Sequence, residues 1–138
     1  MTDADLVKKK LASIESCLSE LTRLARPDAI DSDVRERRFV EHTLQIAIQA
    51  ALDVASHIVS DRRLGEPRTN RELFDLLRQD GWIGDDLTTV LRNMAGFRNV
   101  LVHGYDDVDL AVVHDVLEHH LADLTAFIEA VRRRLDAS

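Results

Sequence analysis

Residues 39–59 read FVEHTLQIAIQAALDVASHIV, and apolar side chains occupy nearly every face of a helix built from them. Asp31, Ser32 or Asp33 can cap such a helix, which would then continue to about Asp61. A helix that is apolar on several faces is packed by neighbours on more than one side. At about 1.5 Å per residue, about 29 residues would span roughly 43 Å, which is long for so small a chain. We therefore expect a central helix, part of which is covered by another subunit.

The segments on both sides of this central helix have the periodicity of amphipathic helices. Between about Asp3 and Leu24, apolar residues alternate spacings of four and three, and Pro27 ends that helix. Beyond the central helix, Thr69 and Glu72 have the spacing of a capping box, which predicts the start of a short third helix.

The second half of the chain continues the helical pattern to its end. The third helix is expected to stop at Gly81, and a fourth to start at residues 84–86. Asp107 or Asp109 caps the last helix, whose apolar stripe reaches Leu135. No segment has the alternation of a strand, so we predict an all-α fold: an antiparallel bundle of about five helices.

Length and composition limit the class of protein further. A chain of 138 residues with 45% hydrophobic side chains predicts one globular domain over residues 1–138. The formal net charge of −7 argues against a broad electrostatic grip on nucleic acid but leaves room for a local basic groove. The single cysteine, Cys17, excludes an intramolecular disulfide and suits a reducing cytoplasm. Because neither a signal peptide nor a membrane-spanning run is evident, we expect a soluble cytoplasmic protein with no membrane partner.

Residues 97–105, FRNVLVHGY, place a guanidinium, an imidazole and a phenol inside an apolar run. On a straight helix Arg98 and Tyr105 point within about 20° of each other, whereas His103 points about 140° away from Arg98. Gly104 relieves this conflict, because a helix can stop there and the chain can reverse. The apolar residues around these groups are expected to lie in the core: Met94, Phe97, Val100, Leu101 and Val102.

These polar side chains suit the chemistry of phosphodiesters. Arginine offers a planar charged fork that matches phosphate oxygens, and histidine exchanges a proton near neutral pH. RNA carries its own nucleophile, the 2′-hydroxyl, so neither a metal nor another cofactor is required. One histidine serves only one of the two oxygens that exchange protons. A two-fold homodimer would bring two histidines and two arginines around one phosphate.

The spacing of Arg98, His103 and Tyr105 resembles the RX4HXY signature of HEPN-domain ribonucleases, and more narrowly the HepT toxin family. The similarity extends through residues 65–67, 71–77 and 80–83, and through a longer segment at 94–105. It therefore covers the second half of the chain closely, and the first half only through the length and character of its helices.

The resemblance implies a helical dimer that cuts RNA without metal, with Arg98 and His103 as the catalytic pair. It also implies that Asn99 helps to orient the site. Tyr105 matches the tyrosine to which an MntA-like nucleotidyltransferase antitoxin transfers AMP from ATP. The chain would then be the toxin of a type VII toxin–antitoxin system, and Tyr105→Phe would escape neutralisation.

Two other interpretations of the motif are open at this stage. The cluster could be a satisfied polar network at a helix end in a purely structural dimer. The chain could also be a non-catalytic HEPN module that binds nucleotide or a partner nucleotidyltransferase.

Other charged groups give weaker indications of function. Histidines that could suggest a metal lack the spacing of two ligands on one helical turn, although His119 and Asp123 have it. A set of arginines near the start of the second helix and in the loop after it forms either an RNA-binding rim or a scattered solvated group: Arg35, Arg37, Arg38, Arg62, Arg63, Arg68 and Arg71.

Overall fold

The computed structural model of the chain describes residues 3–104 and 108–137. Within these residues the secondary structure is helical throughout, and no strand occurs. A 3-10 turn at Pro27–Ala29 joins the first two helices. The prediction of an all-α bundle is confirmed, with these six α-helices: α1 (Ala4–Leu24), α2 (Val34–Asp61), α3 (Asn70–Gln79), α4 (Asp85–His103), α5 (Leu110–His119) and α6 (Leu121–Ala137).

Helix α2 is the centre of the bundle, as its sequence predicts. It packs against α1, α3 and α4, and buried residues lie along it from Val40 to Val59. Of the three candidate caps, Asp33 takes the position, and its carboxylate accepts a hydrogen bond of 2.9 Å from the backbone N–H of Arg35. Ile46 on α2 remains 43% exposed, so the helices of this chain do not cover α2 completely.

The start of α3 follows a local signal in the sequence, with one change of partner. Thr69 Oγ1 accepts a hydrogen bond from the backbone N–H of Glu72 at 3.4 Å, which caps the helix. The Glu72 carboxylate accepts from the backbone N–H of Arg68 instead of Thr69, one residue earlier than in a regular capping box. Gly81 then ends α3 with a positive φ of 81°, a conformation in which glycine has no steric cost.

Trp82 joins three helix ends at one end of the bundle. Its side chain is buried, and its indole Nε1–H donates to Asp80 Oδ2 at 3.0 Å. Arg62 after α2 and Arg134 in α6 place their guanidinium carbons 4.9 and 4.8 Å from the ring centroid. Arg134 Nη1 also donates to the backbone carbonyl of Asp80 at 2.8 Å. These contacts fix the turn from which α4 starts, and therefore the direction of the helix that carries the motif.

The last predicted helix is two helices, which corrects the count of five. The break falls at His120, whose φ of −120° and ψ of 1° leave the helical region. The His120 ring is held from both sides: Nδ1 lies 2.9 Å from Asp123 Oδ2 and Nε2 lies 3.1 Å from Asp115 Oδ2. Helix α6 restarts when the backbone N–H of Asp123 donates to the His120 carbonyl. No glycine or proline marks this point, so helical periodicity alone did not predict the break.

The His120 bridge predicts a pH-dependent stability. The hydrogen bond to Asp123 raises the pKa of His120, with Asp115 acting in the same direction and desolvation opposing both. A raised folded-state pKa means that the stabilisation is complete below the unfolded value of about 6.5 and is lost as pH rises through the folded value. Because the ring is half-buried and solvent still screens its ion pairs, we expect a contribution of about 1 kcal/mol or less to the free energy of unfolding. Urea unfolding of the wild type at pH 6 and pH 8.5, compared with His120→Gln, measures it.

Candidate functional site

The C-terminal end of α4 carries the motif, and the helix ends where the sequence predicts. Its last residue is His103, and the backbone N–H of Gly104 donates to the Val100 carbonyl at 2.6 Å. Tyr105 follows directly, but residues 105–107 lie outside the described part of the chain. The same holds for Asp107 as a possible cap, and the observed cap of α5 is Asp109. The geometry of the site therefore rests on Arg98, Asn99 and His103.

The apolar residues of the motif divide into buried and uncovered ones. Met94 and Phe97 are buried, as predicted. Val100 is 43% exposed, and Leu101 and Val102 are only half-buried, so the expectation of a continuous core is wrong there. Successive helical residues turn by about 100°, so three in a row cannot all face one core. One face of α4 thus remains uncovered by the rest of the described chain.

Arg98 and His103 lie on different faces of α4, and Asn99 lies between them around the helix axis. Because α4 continues without a break to His103, the two Cα positions are about 140° apart around its axis. Asn99 lies about 100° from Arg98 in the same direction, which leaves it about 40° from His103. Arg98 Nη1 donates to Asn99 Oδ1 at 3.1 Å. This bond turns the guanidinium toward the side of the helix that carries the imidazole.

The functional groups of this site differ in exposure. His103 and Asn99 are exposed, whereas Arg98 is half-buried. The Nε of Arg98 is buried and has no hydrogen-bond partner among the described residues. An unpaired buried donor is costly and rare in folded proteins. Arg98 therefore retains unused hydrogen-bond donors beside an accessible imidazole, an arrangement that can take an anionic ligand.

The arginines that could form an RNA-binding rim belong to two separate places. Arg35, Arg37 and Arg38 lie in the first turns of α2, and the others follow its C-terminal end. A helix of 28 residues separates these groups by about 40 Å. Arg37 is also occupied, since its guanidinium donates to the backbone carbonyls of Ile30 and Asp31. A single rim of seven arginines on one chain is therefore excluded.

Several other titratable residues have structural partners or are buried. His57 Nε2 accepts a hydrogen bond from the backbone N–H of Asp3 at 3.3 Å, and His114 Nε2 lies 3.0 Å from Asp31 Oδ1. Burial raises the pKa of the Cys17 thiol, as expected of a residue at the edge of the core. Within residues 3–104 and 108–137, no three His, Cys, Asp or Glu side chains are grouped so as to hold a metal ion. The same residues contain no helix long and apolar enough to cross a membrane.

Solved structures identify the class of this helical bundle. The tri-AMPylated Shewanella oneidensis HEPN toxin, in complex with an MNT antitoxin, aligns with a TM-score of 0.87 and 31% identity, covering 96% of this chain and 99% of that one. A toxin–antitoxin structure with AMP-PNP aligns with a TM-score of 0.88 and 31% identity over 94% and 98% of the two chains. The bundle thus has the fold of the HEPN toxins.

Sequence comparison narrows the class to a family. The chain belongs to the HepT-like ribonuclease family, because the family described as Ribonuclease HepT-like matches residues 11–131. The mRNA nuclease HepT of Shewanella oneidensis is 32% identical over 129 residues, which are 93% of this chain and 97% of that relative. The tRNA nuclease HepT of Aphanizomenon flos-aquae is 27% identical over 132 residues, 94% and 90% of the two chains. The chain is therefore a ribonuclease, and the family predicted from the motif is confirmed.

Proposed function

We propose that this ribonuclease is the toxin of a type VII toxin–antitoxin system and that it cuts RNA without metal at a cleft between two copies of the chain. Arg98 and His103 form the catalytic pair, and Asn99 orients the site. The hydrogen bond from Arg98 to Asn99, beside the exposed His103, is the observation that carries this proposal.

Arg98 binds the scissile phosphate. A guanidinium binds the non-bridging oxygens through two parallel N–H groups and stabilises the charge that grows on them. The unpaired Nε supports this role, because a charged donor without a protein partner can be satisfied by a ligand. Asn99 holds one Nη and so limits the rotamers of a long side chain before substrate binds.

His103 transfers the protons of the reaction. The RNA 2′-oxygen attacks phosphorus and the bond to the 5′-oxygen breaks, leaving a cyclic phosphate and a free 5′-hydroxyl. One neutral imidazole accepts the proton of the 2′-hydroxyl, and one imidazolium donates a proton to the departing 5′-oxygen.

Two copies of the chain supply the two imidazoles. The exposed Val100 supports an interface next to His103, because an apolar group left exposed beside a site favours burial by a partner. A two-fold axis near this face brings the equivalent His103 and Arg98 of the second subunit to the same phosphate.

An MntA-like nucleotidyltransferase acts as the antitoxin in this proposal and transfers AMP to Tyr105. The solved relatives support it, since one is a toxin–antitoxin structure with AMP-PNP and another is a tri-AMPylated toxin in complex with an MNT antitoxin. Tyr105 follows the last residue of α4 by two positions in the sequence, and AMP attached to it would add bulk and an anionic group to the motif. The cytoplasm, where RNA and ATP are both present, is the expected location.

Chelation tests the metal-free mechanism. We expect the purified protein to cleave RNA at an undiminished rate in excess EDTA, because the nucleophile belongs to the substrate and the proton carriers are imidazoles. Arg98→Ala, prepared in parallel, controls for contaminating ribonuclease. Loss of cleavage in EDTA and its recovery with Mg²⁺ would contradict the mechanism.

Light scattering on the active protein should show a dimer, and a monomer that still cleaves RNA would remove the composite cleft.

A further inference from the structure

Arg71 lies against the backbone of α4 at Gly96. Arg71 is in the first turn of α3 and is exposed, and its guanidinium occupies the space where residue 96 has no side chain. A Cβ built on Gly96 would lie 3.0 Å from Arg71 Cζ and 3.2 Å from its Nε. These two contacts are tighter than nine in ten contacts of real Cβ atoms, and Arg71 Nη2 would lie closer still, so a side chain at position 96 displaces the flexible end of Arg71.

Both residues at this contact are unfavourable for their own helices. Glycine inside a helix is destabilising by about 1 kcal/mol relative to alanine. A cation in the first turn of a helix opposes the helix dipole. Two local costs that meet at one contact indicate a function that outweighs them. Stability alone offers no compensation, because Arg71 makes no hydrogen bond or ion pair with any residue of 3–104 or 108–137. Other arginines of the chain do have carboxylate partners, such as Arg92 with Asp75 and Arg132 with Glu15.

The contact lies on the face of α4 that carries the imidazole. Gly96 and His103 are seven residues apart, which places them about 20° apart around the axis and about 10 Å apart along it. Asn99 lies on the same side of the helix, and both Asn99 and His103 are exposed. A strand of RNA that presents its scissile phosphate to His103 can therefore run along α4 toward Arg71.

We propose that Arg71 is a second phosphate-binding residue, which holds a phosphate of the RNA strand next to the scissile one. Because Gly96 has no side chain, it leaves room for the Arg71 guanidinium on the face of α4 that carries His103. The proposal rests on the ribonuclease mechanism described above. It extends the site from one phosphate to a short stretch of the strand, which is how a protein with a net charge of −7 can hold RNA through a local set of cations.

Substrate length tests this role directly. A dinucleoside monophosphate contains only the scissile phosphate, whereas an RNA hexamer contains flanking ones. Arg71→Ala is expected to lower kcat/KM for the hexamer about tenfold, mainly through KM, and to leave the dinucleoside monophosphate unaffected. Arg23→Ala on α1 removes the same charge at a distance from α4 and should match the wild type on both substrates. Equal loss on both substrates, or no loss on the hexamer, would overturn the proposal.

Salt dependence provides a readout that a structural role would not change. Binding of the hexamer is measured with His103→Ala protein, so that no cleavage occurs. Each phosphate contact to a single strand contributes about 0.7 to the slope of log K against log salt concentration, so adding Arg71→Ala should lower the slope by about that amount. An unchanged slope counts against Arg71. If the wild type cleaves neither substrate, the catalytic mechanism fails, while this slope still reports on Arg71.

Gly96→Ala tests whether the space at Gly96 positions the Arg71 guanidinium. The substitution favours the helix, so Tm is expected to hold or rise while hexamer kinetics approach those of Arg71→Ala. The double variant should be no weaker than Arg71→Ala alone, because both changes remove one interaction. Additive losses of kcat/KM would show that Gly96 acts independently of Arg71, and the positioning role of Gly96 would then be wrong.

Discussion

His103→Ala is expected to abolish the growth arrest that follows induction of the chain and to lower kcat for RNA cleavage by about 10²–10⁴-fold, the usual contribution of a general acid or base. The imidazole is exposed at the last residue of α4, on the side of the helix that carries Asn99, to which the Arg98 guanidinium is hydrogen-bonded. If two copies of His103 share the two proton transfers, the substitution removes both at once. Cleavage of a defined RNA over time, with growth curves in parallel, measures the effect.

Companion variants separate the roles within the site. Asn99→Ala should leave an intermediate activity, because Arg98 keeps its charge and loses only its positioning bond. His119→Ala is the matched control, since His119 is also an exposed histidine at the C-terminal end of a helix. Mixed dimers of His103→Ala and wild-type chains should be impaired as well, because each cleft needs both imidazoles. Cleavage of RNA by His103→Ala at the wild-type rate would contradict the proposed mechanism.

Local signals predicted the helices because each one depends on a few neighbouring residues. The caps at Asp3, Asp33 and Thr69, the stop at Gly81 and the end of α4 at Gly104 are all determined within one helical turn. The motif itself is equally local, since its residues lie on one helix and in the residues that follow it. These features could be predicted from the sequence without knowing how the helices pack.

The features that sequence reasoning missed have no marker in helical periodicity, and two of the three depend on how distant residues are arranged. The break at His120 has no glycine or proline signal and is held by carboxylates on both sides, Asp115 and Asp123. The single arginine rim failed because the length of α2 separates the arginines in its first turns from those that follow its C-terminal end. The pairing of Arg71 with Gly96 joins α3 to α4, and no spacing rule connects them. A glycine inside an otherwise good helix was the one signal that could have drawn attention to it.

The exposure of Val100 has a different cause. Apolar content marks a residue for burial without saying which surface buries it, because a core and a subunit interface require the same side chains. The sequence could therefore predict that Val100 avoids water, but not that this chain alone leaves it 43% exposed. The same ambiguity applies to α2, whose length suggested a second subunit and whose Ile46 is exposed.

Tyr105→Phe is expected to keep full RNA cleavage and to lose all protection by the antitoxin. In the proposed modification the phenolic oxygen attacks the α-phosphorus of ATP, pyrophosphate leaves, and the phenolic proton passes to a base. Phenylalanine has the ring but no oxygen, so no AMP ester can form. In the wild type the AMP phosphate adds an anion to the motif, and an anion can compete for the Arg98 guanidinium that the RNA phosphate requires.

Mass spectrometry and growth assays check this outcome together. The chain contains a single tyrosine, so AMP on a tyrosine of the wild type can only be on Tyr105, and Tyr105→Phe co-expressed with the nucleotidyltransferase should keep its unmodified mass. Cells that carry this variant should stop growing even with active antitoxin, whereas Tyr105→Phe combined with His103→Ala should grow normally. Equal rescue of Tyr105→Phe and wild type by a catalytically active antitoxin would mean that neutralisation works through binding and not through this oxygen.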